Sequence, residues 1–456
     1  MGPTTATMTP PAPGQAAAEA EHRIAYLLVL AMGVLAAVAV RLAVLPGYVL
    51  LGDLDQYARW AHHLATDLPF GAAYRQDFSY MPVLVGVFGA LARLVPGFAT
   101  AGDAGDIGIR IALKVPALLG EVAIVVGLFT LIRLRPRLAI AAILGVLLVP
   151  ATWYLGAWWG QLDAVYVALG LWAAILASRD RHWLFAVVLG LALMTKPQAL
   201  FLAAPFAGYA VGRWGVRRAA LVGLVAVAVA VLTWLPFVPY GGVADYLRNL
   251  DYYQNGQYPI LSVRAWNPWW LVQVAFGGDR FVLDSTPLLG PITPRHLGLV
   301  AAALAEILVF MTVSRRATTE RLLLGLAAAT LAAFCLMTSM HERYAYAALV
   351  FLAPLLGRRS IQVVWGTLAV VISLNVVAGA PPGQIGSIIP LTGPVGIVGS
   401  IAMILATIVA FALLLSARST RAPADGRPAR PDRRPTRAVR PPLTPKAARV
   451  GFARPQ

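Results

Sequence analysis

Apolar residues form long, continuous runs along most of the chain, separated by short polar connections. Continuous runs predict helices, whereas a transmembrane barrel would show alternating residues in segments of about ten. A helix also pairs its backbone N–H and C=O groups internally, as a lipid bilayer requires. The pattern therefore predicts an all-α, polytopic transmembrane helical bundle of about 12–13 membrane segments. The runs lie at residues 24–45, 80–96, 108–132, 138–155, 162–178, 183–195, 197–212, 217–238, 296–314, 320–339, 344–357, 361–379 and 393–416.

The composition points to the same class of protein. Of 456 residues, 59% are hydrophobic and 12% are charged, whereas soluble domains carry about 25% charged residues. A soluble globular enzyme and a disordered chain are therefore excluded. The single cysteine, Cys335, excludes a disulfide within the chain and a cysteine-based metal site. The sequence has no Walker loop and no Gly-rich dinucleotide fingerprint, so we expect no cofactor and no bound metal.

Lys and Arg in the short connections predict the orientation of the bundle. Basic clusters alternate along the chain with connections rich in Gly, Pro, Trp, Gln and Asp. We expect the basic set in the cytoplasm and the second set outside, in a multi-pass protein of the cell (plasma) membrane. This assignment requires that the run at 80–96 does not cross fully, which leaves twelve crossings. The basic clusters are Arg133/Arg135/Arg137, Arg179/Arg181, Arg213/Arg217/Arg218, Arg315/Arg316/Arg321 and Arg358/Arg359; the second set is 156–161, 196, 239–295, 340–343 and 380–392.

The two ends of the chain differ from the membrane domain at 21–416. Residues 1–20 are rich in Ala, Pro and Thr and are predicted to be disordered. Residues 417–456 hold eleven Lys or Arg and two Asp, and we expect a disordered, basic cytoplasmic tail. Contact of this tail with anionic membrane lipids is the alternative. The basic charge lies in this tail and in loops rather than on one face, so no nucleic-acid partner is expected.

Two of the outer connections are long. Residues 46–79 contain an amphipathic stretch, Leu54 to Leu64, that predicts a helix lying on the membrane face. Residues 239–295 contain ten aromatic residues. Trp266, Trp269 and Trp270 are among them.

Two carboxylates follow the first apolar run. Asp53 and Asp55 come just after the predicted outer end of that helix, before Tyr57 and Trp60. A carboxylate at the membrane–water boundary can act as a general base toward a hydroxyl. Asp53 is equally explained as the N-cap of the helix that follows. The spacing alone favours neither interpretation.

Two further polar groups lie at the outer ends of other runs. Gln161 and Asp163 follow a Trp pair, Trp158-Trp159, which is typical of the aromatic belt of a membrane protein. Asp163 is also explained as a helix cap. Lys196, one of three lysines in the chain, lies between two short apolar runs. Because a buried cation is costly, we expect an anionic partner for it, from the protein or from a ligand.

The segment Met340-His-Glu-Arg-Tyr344 places four polar or ionisable side chains in a row between two apolar runs. Arg343 suits a phosphate as a bidentate donor, and His341 suits it as a donor or proton carrier. A solvated loop with an aromatic anchor is the alternative. We expect Lys196, His341 and Arg343 to gather around one phosphate near Asp163.

These groups, in this order, resemble the polytopic GT-C glycosyltransferases that use a polyprenyl-phosphate sugar as donor. The similarity is to the bacterial proteins related to glycosyltransferase family 87 and to the second GPI mannosyltransferase, over residues 24–416. Two positions depart from that pattern: Met81 stands where Pro is usual, and Glu121 stands where Asp is common. The matching motifs are Gly52-Asp-x-x-x-Tyr-x-x-Trp-Ala61, Tyr80-Met-Pro82, Lys114-Val-Pro116, Trp159-Gly-Gln-Leu-Asp163, Lys196-Pro-Gln198 and His341-Glu-Arg-Tyr344.

The resemblance implies a GT-C-like fold and an inverting transfer of a hexose, with mannose favoured, on the outer leaflet. The donor is a polyprenyl-phosphate sugar, and the acceptor is a cell-envelope glycan or glycolipid. By position Asp53 is the general base, with Asp55 second. Lys196, His341 and Arg343 would bind the donor phosphate and supply positive charge. The candidates for sugar or acceptor contacts are Tyr57, Gln161, Asp163, Gln198, Glu342, Trp266 and Trp269.

Two other functions fit parts of the sequence. A transporter or flippase of a lipid-linked saccharide or anion also needs intramembrane charges and broken helices. It predicts inverted repeats, which the sequence does not show, and it needs no carboxylate in the first outer loop. A non-catalytic partner in a cell-wall assembly complex would not need polar residues at so many outer helix ends.

Overall fold

The computed structural model describes residues 13–48, 52–277, 280–382 and 388–417. This part of the chain is almost entirely helical, and strands β1 (Ser262–Val263) and β2 (Met340–His341) pair in parallel. The helices are α1 (Pro13–Val44), α2 (Asp53–Thr66), α3 (Pro82–Leu94), α4 (Ile107–Ile132), α5 (Pro136–Leu148), α6 (Pro150–Trp153), α7 (Asp163–Ser178), α8 (His182–Leu193), α9 (Ala203–Trp214), α10 (Val216–Trp234), α11 (Gly242–Asp251), α12 (Pro268–Gly277), α13 (Pro294–Arg315), α14 (Thr319–Leu336), α15 (Tyr346–Leu352), α16 (Arg359–Gly379) and α17 (Gly393–Ser416).

The predicted all-α class is confirmed, because each apolar run of the sequence coincides with a helical segment. Among the described residues, seven helices are long and apolar enough to cross a membrane: α1 from Ile24 onward, α4, α10, α13, α14, α16 and α17. An eighth candidate joins α5 to the segment Pro150–Trp159 through a bend of 51°. Pro150 explains the bend, because it lacks the N–H that would continue the helix. These helices fit a multi-pass membrane protein.

The first helix is longer than the sequence predicted. It begins at Pro13, inside the segment 1–20 that was expected to be disordered. Residues 16–21 are Ala and Glu, which are strong helix formers, so they extend the helix ahead of the membrane segment. The rest of the predicted N-terminal disorder, at 1–12, and the tail from 418 lie outside the described residues.

The basic connections meet at one end of the bundle, which we call the basic end. Arg213 Nη2 lies 2.7 Å from Asp180 Oδ2, so the connections that follow α7 and α9 form an ion pair. Arg358, before α16, pairs with Glu320 at the start of α14. Other contacts at this end join Arg137 to Tyr26, Arg179 to Thr130 and Arg321 to Ala417.

The second set of connections meets at the opposite end of the same helices, which we call the cavity end. Lys196, after α8, reaches Asp163 at the start of α7. Met340 and His341, after α14, pair with Ser262 and Val263. The predicted outer loop at 239–295 is therefore not a free loop. It folds into α11, α12 and β1, and it contacts the ends of the membrane helices.

Within the described residues, twelve segments run between the two ends, although four of them are shorter than a usual span. α3 does not do so. Before α3, Met81 N–H donates to the Thr195 carbonyl at 3.1 Å. After α3, Ala104 N–H donates to Asp55 Oδ1 at 2.9 Å. Both contacts lie at the cavity end, as expected for a run at 80–96 that does not cross. The twelve segments are α1, α4, α5 with α6, α7, α8, α9, α10, α13, α14, α15, α16 and α17.

α14 forms the centre of the bundle. Within its apolar window 83% of the residues are buried, compared with 11% in α1 and in α10. Small residues such as Ala327, Ala328 and Ala329 allow neighbouring helices to approach closely, as is usual in membrane bundles. Leu and Val side chains of α1 and α10 are exposed and suit contact with lipid. The well-packed α14 leads directly into the polar segment 340–344.

Candidate active site

Two cavities lie side by side at the cavity end. Cavity 1 has a volume of about 330 Å³ and cavity 2 of about 240 Å³. Asp53, Tyr258, His341 and Arg343 line both cavities and therefore stand at their junction. The other residues that line cavity 1 include Tyr57, Lys196, Gln198, Leu200, Phe201, Leu250 and Tyr253. Those of cavity 2 include Trp159, Gln257, Arg264, Phe281 and Glu342.

Asp53 is held at the junction by two neutral donors. Its Oδ2 accepts hydrogen bonds from Trp159 Nε1 at 2.7 Å and from Gln161 Nε2 at 2.9 Å. Gly52, with φ of 71°, occupies the N-cap position of α2, and Asp53 is the first residue of the helix. The N-cap interpretation of Asp53 is therefore wrong. No donor from the described part of the chain contacts Oδ1, so that oxygen is available to a ligand.

Trp159 and Gln161 reach Asp53 because the helix before them is distorted. The segment Tyr154–Trp159 is a π-helix, and Gly160 follows in a left-handed conformation with φ of 82°. A side chain at Gly160 would meet Leu54 of α2 at 2.6 Å, so glycine allows the two segments to approach. π-helical turns of this kind are frequent at functional sites.

Asp55 does not face the cavities. Its Oδ1 accepts a hydrogen bond from the backbone N–H of Ala104 at 2.9 Å, and it lines neither cavity. Two residues along a helix correspond to a rotation of about 200°, so Asp53 and Asp55 point to different sides of α2. The assignment of Asp55 as the second candidate base is therefore wrong. Its carboxylate instead hydrogen-bonds the segment that precedes α4.

Gln161 hydrogen-bonds Asp53, and Tyr57 holds Gln161 in position. Tyr57 donates its hydroxyl proton to Gln161 Oε1 at 3.3 Å and also hydrogen-bonds the hydroxyl of Tyr80. The amide of Gln161 is thereby oriented with its NH₂ group toward Asp53. Gln161 is 1% exposed and lines neither cavity. It was expected to contact sugar, and this expectation is wrong. Tyr57 itself does line cavity 1.

Lys196 and Arg343 approach each other through a shared carboxylate. Lys196 Nζ lies 3.0 Å from Asp163 Oδ2, and Arg343 Nε lies 3.9 Å from the same oxygen. Asp163 is 1% exposed and lines neither cavity, so it is not placed to bind a sugar as predicted. It is the anionic partner expected for Lys196, and the protein supplies it. Without Asp163, Lys196 would lie buried without an ion-pair partner, and Arg343 would keep only Glu342.

Arg343 is further held by its neighbours in the chain. Arg343 Nη1 donates to Glu342 Oε1 at 2.9 Å, and the guanidinium lies 4.8 Å from the centre of the Trp159 ring. Burial raises the pKa of Glu342, while the adjacent Arg343 opposes that shift. Glu342 lines cavity 2, as its predicted acceptor contact requires. Arg343 is thus fixed between the two cavities.

The surroundings of His341 disfavour the charged form of its ring. Burial, together with the positive charges of Arg343 and Lys196, lowers its pKa well below the usual value. His341 was expected to add positive charge, whereas burial and its two cationic neighbours oppose a charge on this ring. The ring lies 4.9 Å from that of Tyr258, and β2 fixes its backbone. His341 can therefore donate or accept a hydrogen bond at the junction.

Gln198 lines cavity 1 with an unused acceptor. Its Oε1 is buried and has no hydrogen-bond partner within the described part of the chain. Gln198 is one residue into the 3-10 helix Pro197–Leu202, directly after Lys196. An unpaired buried oxygen is costly, so a ligand that donates a hydrogen bond there would be stabilised. This placement suits the predicted sugar contact.

Trp266 and Trp269 lie outside the site. Trp266 is buried against Gly396 and Gly399 of α17, and its Nε1 donates to the Leu391 carbonyl at 3.0 Å. Trp269 Nε1 donates to the Leu336 carbonyl at 2.8 Å. Neither residue lines cavity 1 or cavity 2. Their predicted role in contacting sugar is therefore wrong, because they anchor α12 to the helix bundle.

Three site residues were not found from the sequence. Tyr253 and Tyr258 line cavity 1, and Tyr258 also stands at the junction. Arg264 lines cavity 2. All three lie in the long loop 239–295, whose dense aromatic residues were noted but not resolved individually. No local sequence signal marks Arg264, because it reaches cavity 2 through the pairing of β1 with β2.

Within the described ranges, no group of three His, Cys, Asp or Glu side chains is arranged to hold a metal ion. The cavities instead bring one carboxylate, one guanidinium, a histidine and a tyrosine to their junction, with Lys196 beside it in cavity 1 and Glu342 and Arg264 in cavity 2. The chain was compared with family models and with curated proteins, and neither comparison found a match.

Proposed function

We propose that the protein is a membrane glycosyltransferase that moves a hexose from a polyprenyl-phosphate sugar to a glycan or glycolipid acceptor. One observation carries the proposal. Asp53 stands at the junction of two cavities, and Lys196 and Arg343 line the same cavity 1 as Asp53. A two-substrate transfer needs two adjoining sites, with a base and a charge-stabilising group where they meet.

Cavity 1 suits the donor. Lys196 and Arg343 supply positive charge for a phosphate. Leu200, Phe201 and Leu250 give the same cavity an apolar wall that suits a prenyl chain. The leaving group is a phosphate anion, which requires positive charge nearby rather than a strong acid. Tyr57 and Gln198 lie on the same cavity wall and would contact the sugar.

Cavity 2 suits the acceptor. Trp159, Tyr258 and Gln257 offer aromatic faces and an amide, which can bind a sugar ring with its hydroxyls. Asp53 borders cavity 2 and can accept a proton from an acceptor hydroxyl there. Donor and acceptor would thus meet from two sides of the junction.

The proposed step is a single displacement. The acceptor oxygen forms a bond to the anomeric carbon while its proton passes to Asp53. The bond from that carbon to the phosphate oxygen breaks, and its electron pair stays on the phosphate. Lys196 and Arg343 stabilise this developing charge, and the polyprenyl phosphate leaves. Because base and leaving group act on opposite faces, the anomeric configuration inverts.

The sugar and the membrane face remain part of the proposal. Mannose is favoured by the family resemblance, with arabinose, glucose and galactose as further hexose or pentose candidates. We propose that the cavity end faces outside, and the meeting of the basic connections at the opposite end of the helices supports this orientation. The reaction would then occur at the outer leaflet, with acceptor supplied from the cell envelope.

A transporter of a lipid-linked saccharide or anion is the second candidate. The bent pair at Pro150 and the break at Lys196 favour it, because broken helices line transport sites. A transporter moves its substrate intact, so it does not release polyprenyl phosphate.

The test is to supply purified protein in lipid nanodiscs with a panel of polyprenyl-phosphate sugars and a crude cell-envelope lipid fraction as acceptor. Release of polyprenyl phosphate with a new glycoside is the expected result for one donor. Asp53→Asn is the negative control. Failure of every donor, together with movement of intact donor across proteoliposomes, would favour the transporter instead.

A further inference from the structure

Arg264 is held rigidly at the wall of cavity 2. Its backbone adopts φ of 61°, a left-handed conformation that residues other than glycine rarely adopt. Asn375 Nδ2 donates to the Arg264 carbonyl at 2.8 Å, and the Trp266 N–H donates to Asn375 Oδ1 at 2.9 Å. Arg264 also forms a β-bridge with His341. Contacts from α16 and β2 therefore fix this residue beside the junction.

The guanidinium of Arg264 has few protein partners. Its Nη1 donates to the Gly379 carbonyl at 2.8 Å. No carboxylate within the described ranges lies at ion-pair distance from it, whereas Lys196 pairs with Asp163 and Arg343 pairs with Glu342. A guanidinium has five N–H donors, so most of those on Arg264 remain available. Glu342 is near enough to interact electrostatically with Arg264 but lies beyond ion-pair distance, so Arg264 is the cavity cation without a directly paired carboxylate in the described ranges.

We infer that cavity 2 binds an anionic group carried by the acceptor, with Arg264 as its main ligand. This inference rests on the proposed function, because it names the chemical class of the acceptor. A phosphate or phosphodiester fits best, since the planar fork of Arg matches two phosphate oxygens. The phosphate belongs either to a lipid headgroup or to the glycan itself, and both present the same chemistry to Arg264.

The anion belongs to the acceptor rather than to the donor because of how the two cavities differ. The apolar wall of Leu200, Phe201 and Leu250 lies in cavity 1, where Lys196 is also found. Arg264 lines cavity 2 only. A single donor phosphate held at Lys196 would leave Arg264 unpaired, so a second anion is needed to satisfy it.

The experiment compares binding of matched ligands without requiring turnover. The probes are octyl mannoside, its 6-phosphate, a mannosyl phosphodiester with an octyl chain, inorganic phosphate and a short-chain polyprenyl phosphate. Binding is measured on full-length protein in zwitterionic nanodiscs. We expect at least one phosphorylated glycoside to bind at least about tenfold more tightly than octyl mannoside, as a hydrogen-bonded charge pair supports. Arg264→Gln should abolish that preference, and Arg264→Lys should retain part of it.

The control variant is Arg248→Gln, because Arg248 is paired with Asp245 and lines neither cavity. It should bind every probe as the wild type does. The melting temperature of Arg264→Gln reports whether the variant is folded, and its binding of short-chain polyprenyl phosphate should be unchanged.

Three results would overturn the inference. One is equal binding of neutral and phosphorylated glycosides by the wild type. Another is a phosphate preference that survives in Arg264→Gln. The third is equal weakening of polyprenyl phosphate and phosphorylated glycoside, which would place Arg264 in the donor site. Failure of the transferase proposal is separate, because it shows as absence of polyprenyl-phosphate release whatever the binding preference.

Discussion

The two sides of the junction are held by opposite kinds of partner. Asp53 is fixed by neutral donors, Trp159 and Gln161, which occupy only one of its oxygens. On the other side, Lys196 and Arg343 are fixed by carboxylates, Asp163 and Glu342. Asp53 therefore has no cation within ion-pair distance in the described part of the chain. Lys196 and Arg343 each have a carboxylate partner.

This difference explains how charges persist in an apolar bundle. A buried cation without a partner is costly, so Asp163 makes the pair of cations tolerable before any ligand arrives. Asp53 borders two cavities and needs no cation to be tolerated there. Neutral donors orient it and leave its second oxygen for chemistry. The comparison predicts that variants on the two sides fail in different ways.

The largest effect is expected at Asp53. Asp53→Asn keeps the shape of the side chain but removes its basicity, so turnover should fall by a factor on the order of 10²–10⁴. Donor binding should be retained, since the cations are intact. Release of polyprenyl phosphate and donor binding are the two measurements. Asp55→Asn is the matched control and should transfer sugar normally, because Asp55 contacts Ala104 instead. Normal turnover in Asp53→Asn would show that Asp53 is not the general base.

Asp163→Asn should act on stability as well as activity. It leaves Lys196 and Arg343 without their shared carboxylate, and breaking a buried ion pair costs about 3–5 kcal/mol. The free energy of unfolding in detergent should drop accordingly. The double variant Asp163→Asn with Lys196→Met should recover part of the loss, because it removes a stranded charge. Additive losses in the double variant would show that the two residues are not coupled.

Lys196 should set an alkaline limit on donor binding. Burial lowers its pKa below the usual value, although Asp163 partly opposes the shift. As the pH rises through this lowered pKa, Lys196 loses its charge and donor affinity should decline. The decline should occur at a lower pH than the usual lysine pKa of about 10.4. Lys196→Arg stays charged and should move the decline to higher pH. Lys196→Gln should weaken the donor about tenfold or more at pH 7. An unchanged profile in Lys196→Arg would assign the decline to another group.

A smaller effect separates the two groups of tryptophans. Trp159→Phe keeps most of the ring but removes the donor to Asp53, so turnover should fall about tenfold. Trp269→Phe removes a hydrogen bond to Leu336 outside the cavities and should leave turnover unchanged. Steady-state rates of transfer measure both. A greater loss of turnover in Trp269→Phe than in Trp159→Phe would contradict this expectation, because it would indicate that Trp269 contacts the sugar.

The sequence predicted the fold class well, because long apolar runs leave few alternatives to helices. It also identified Asp53, Lys196, His341 and Arg343, since charged residues are conspicuous in an apolar chain. The features of the site that the sequence did not predict depend on tertiary packing. Asp55 points away from Asp53 because of the helical turn, and Trp266 is buried because α17 offers glycines at the contact. Arg264 reaches cavity 2 because β1 pairs with β2, and no local sequence pattern predicts this pairing.

The central claim is that base and leaving group act from opposite sides of one sugar carbon. The anomeric configuration of the product tests it most directly. With the donor identified from the panel, NMR coupling constants of the new glycoside are compared with those of the donor. The account predicts inversion at the anomeric carbon. Retention would contradict it, because retention requires attack and departure on the same face or two successive displacements, and the junction of Asp53 with Lys196 and Arg343 provides neither.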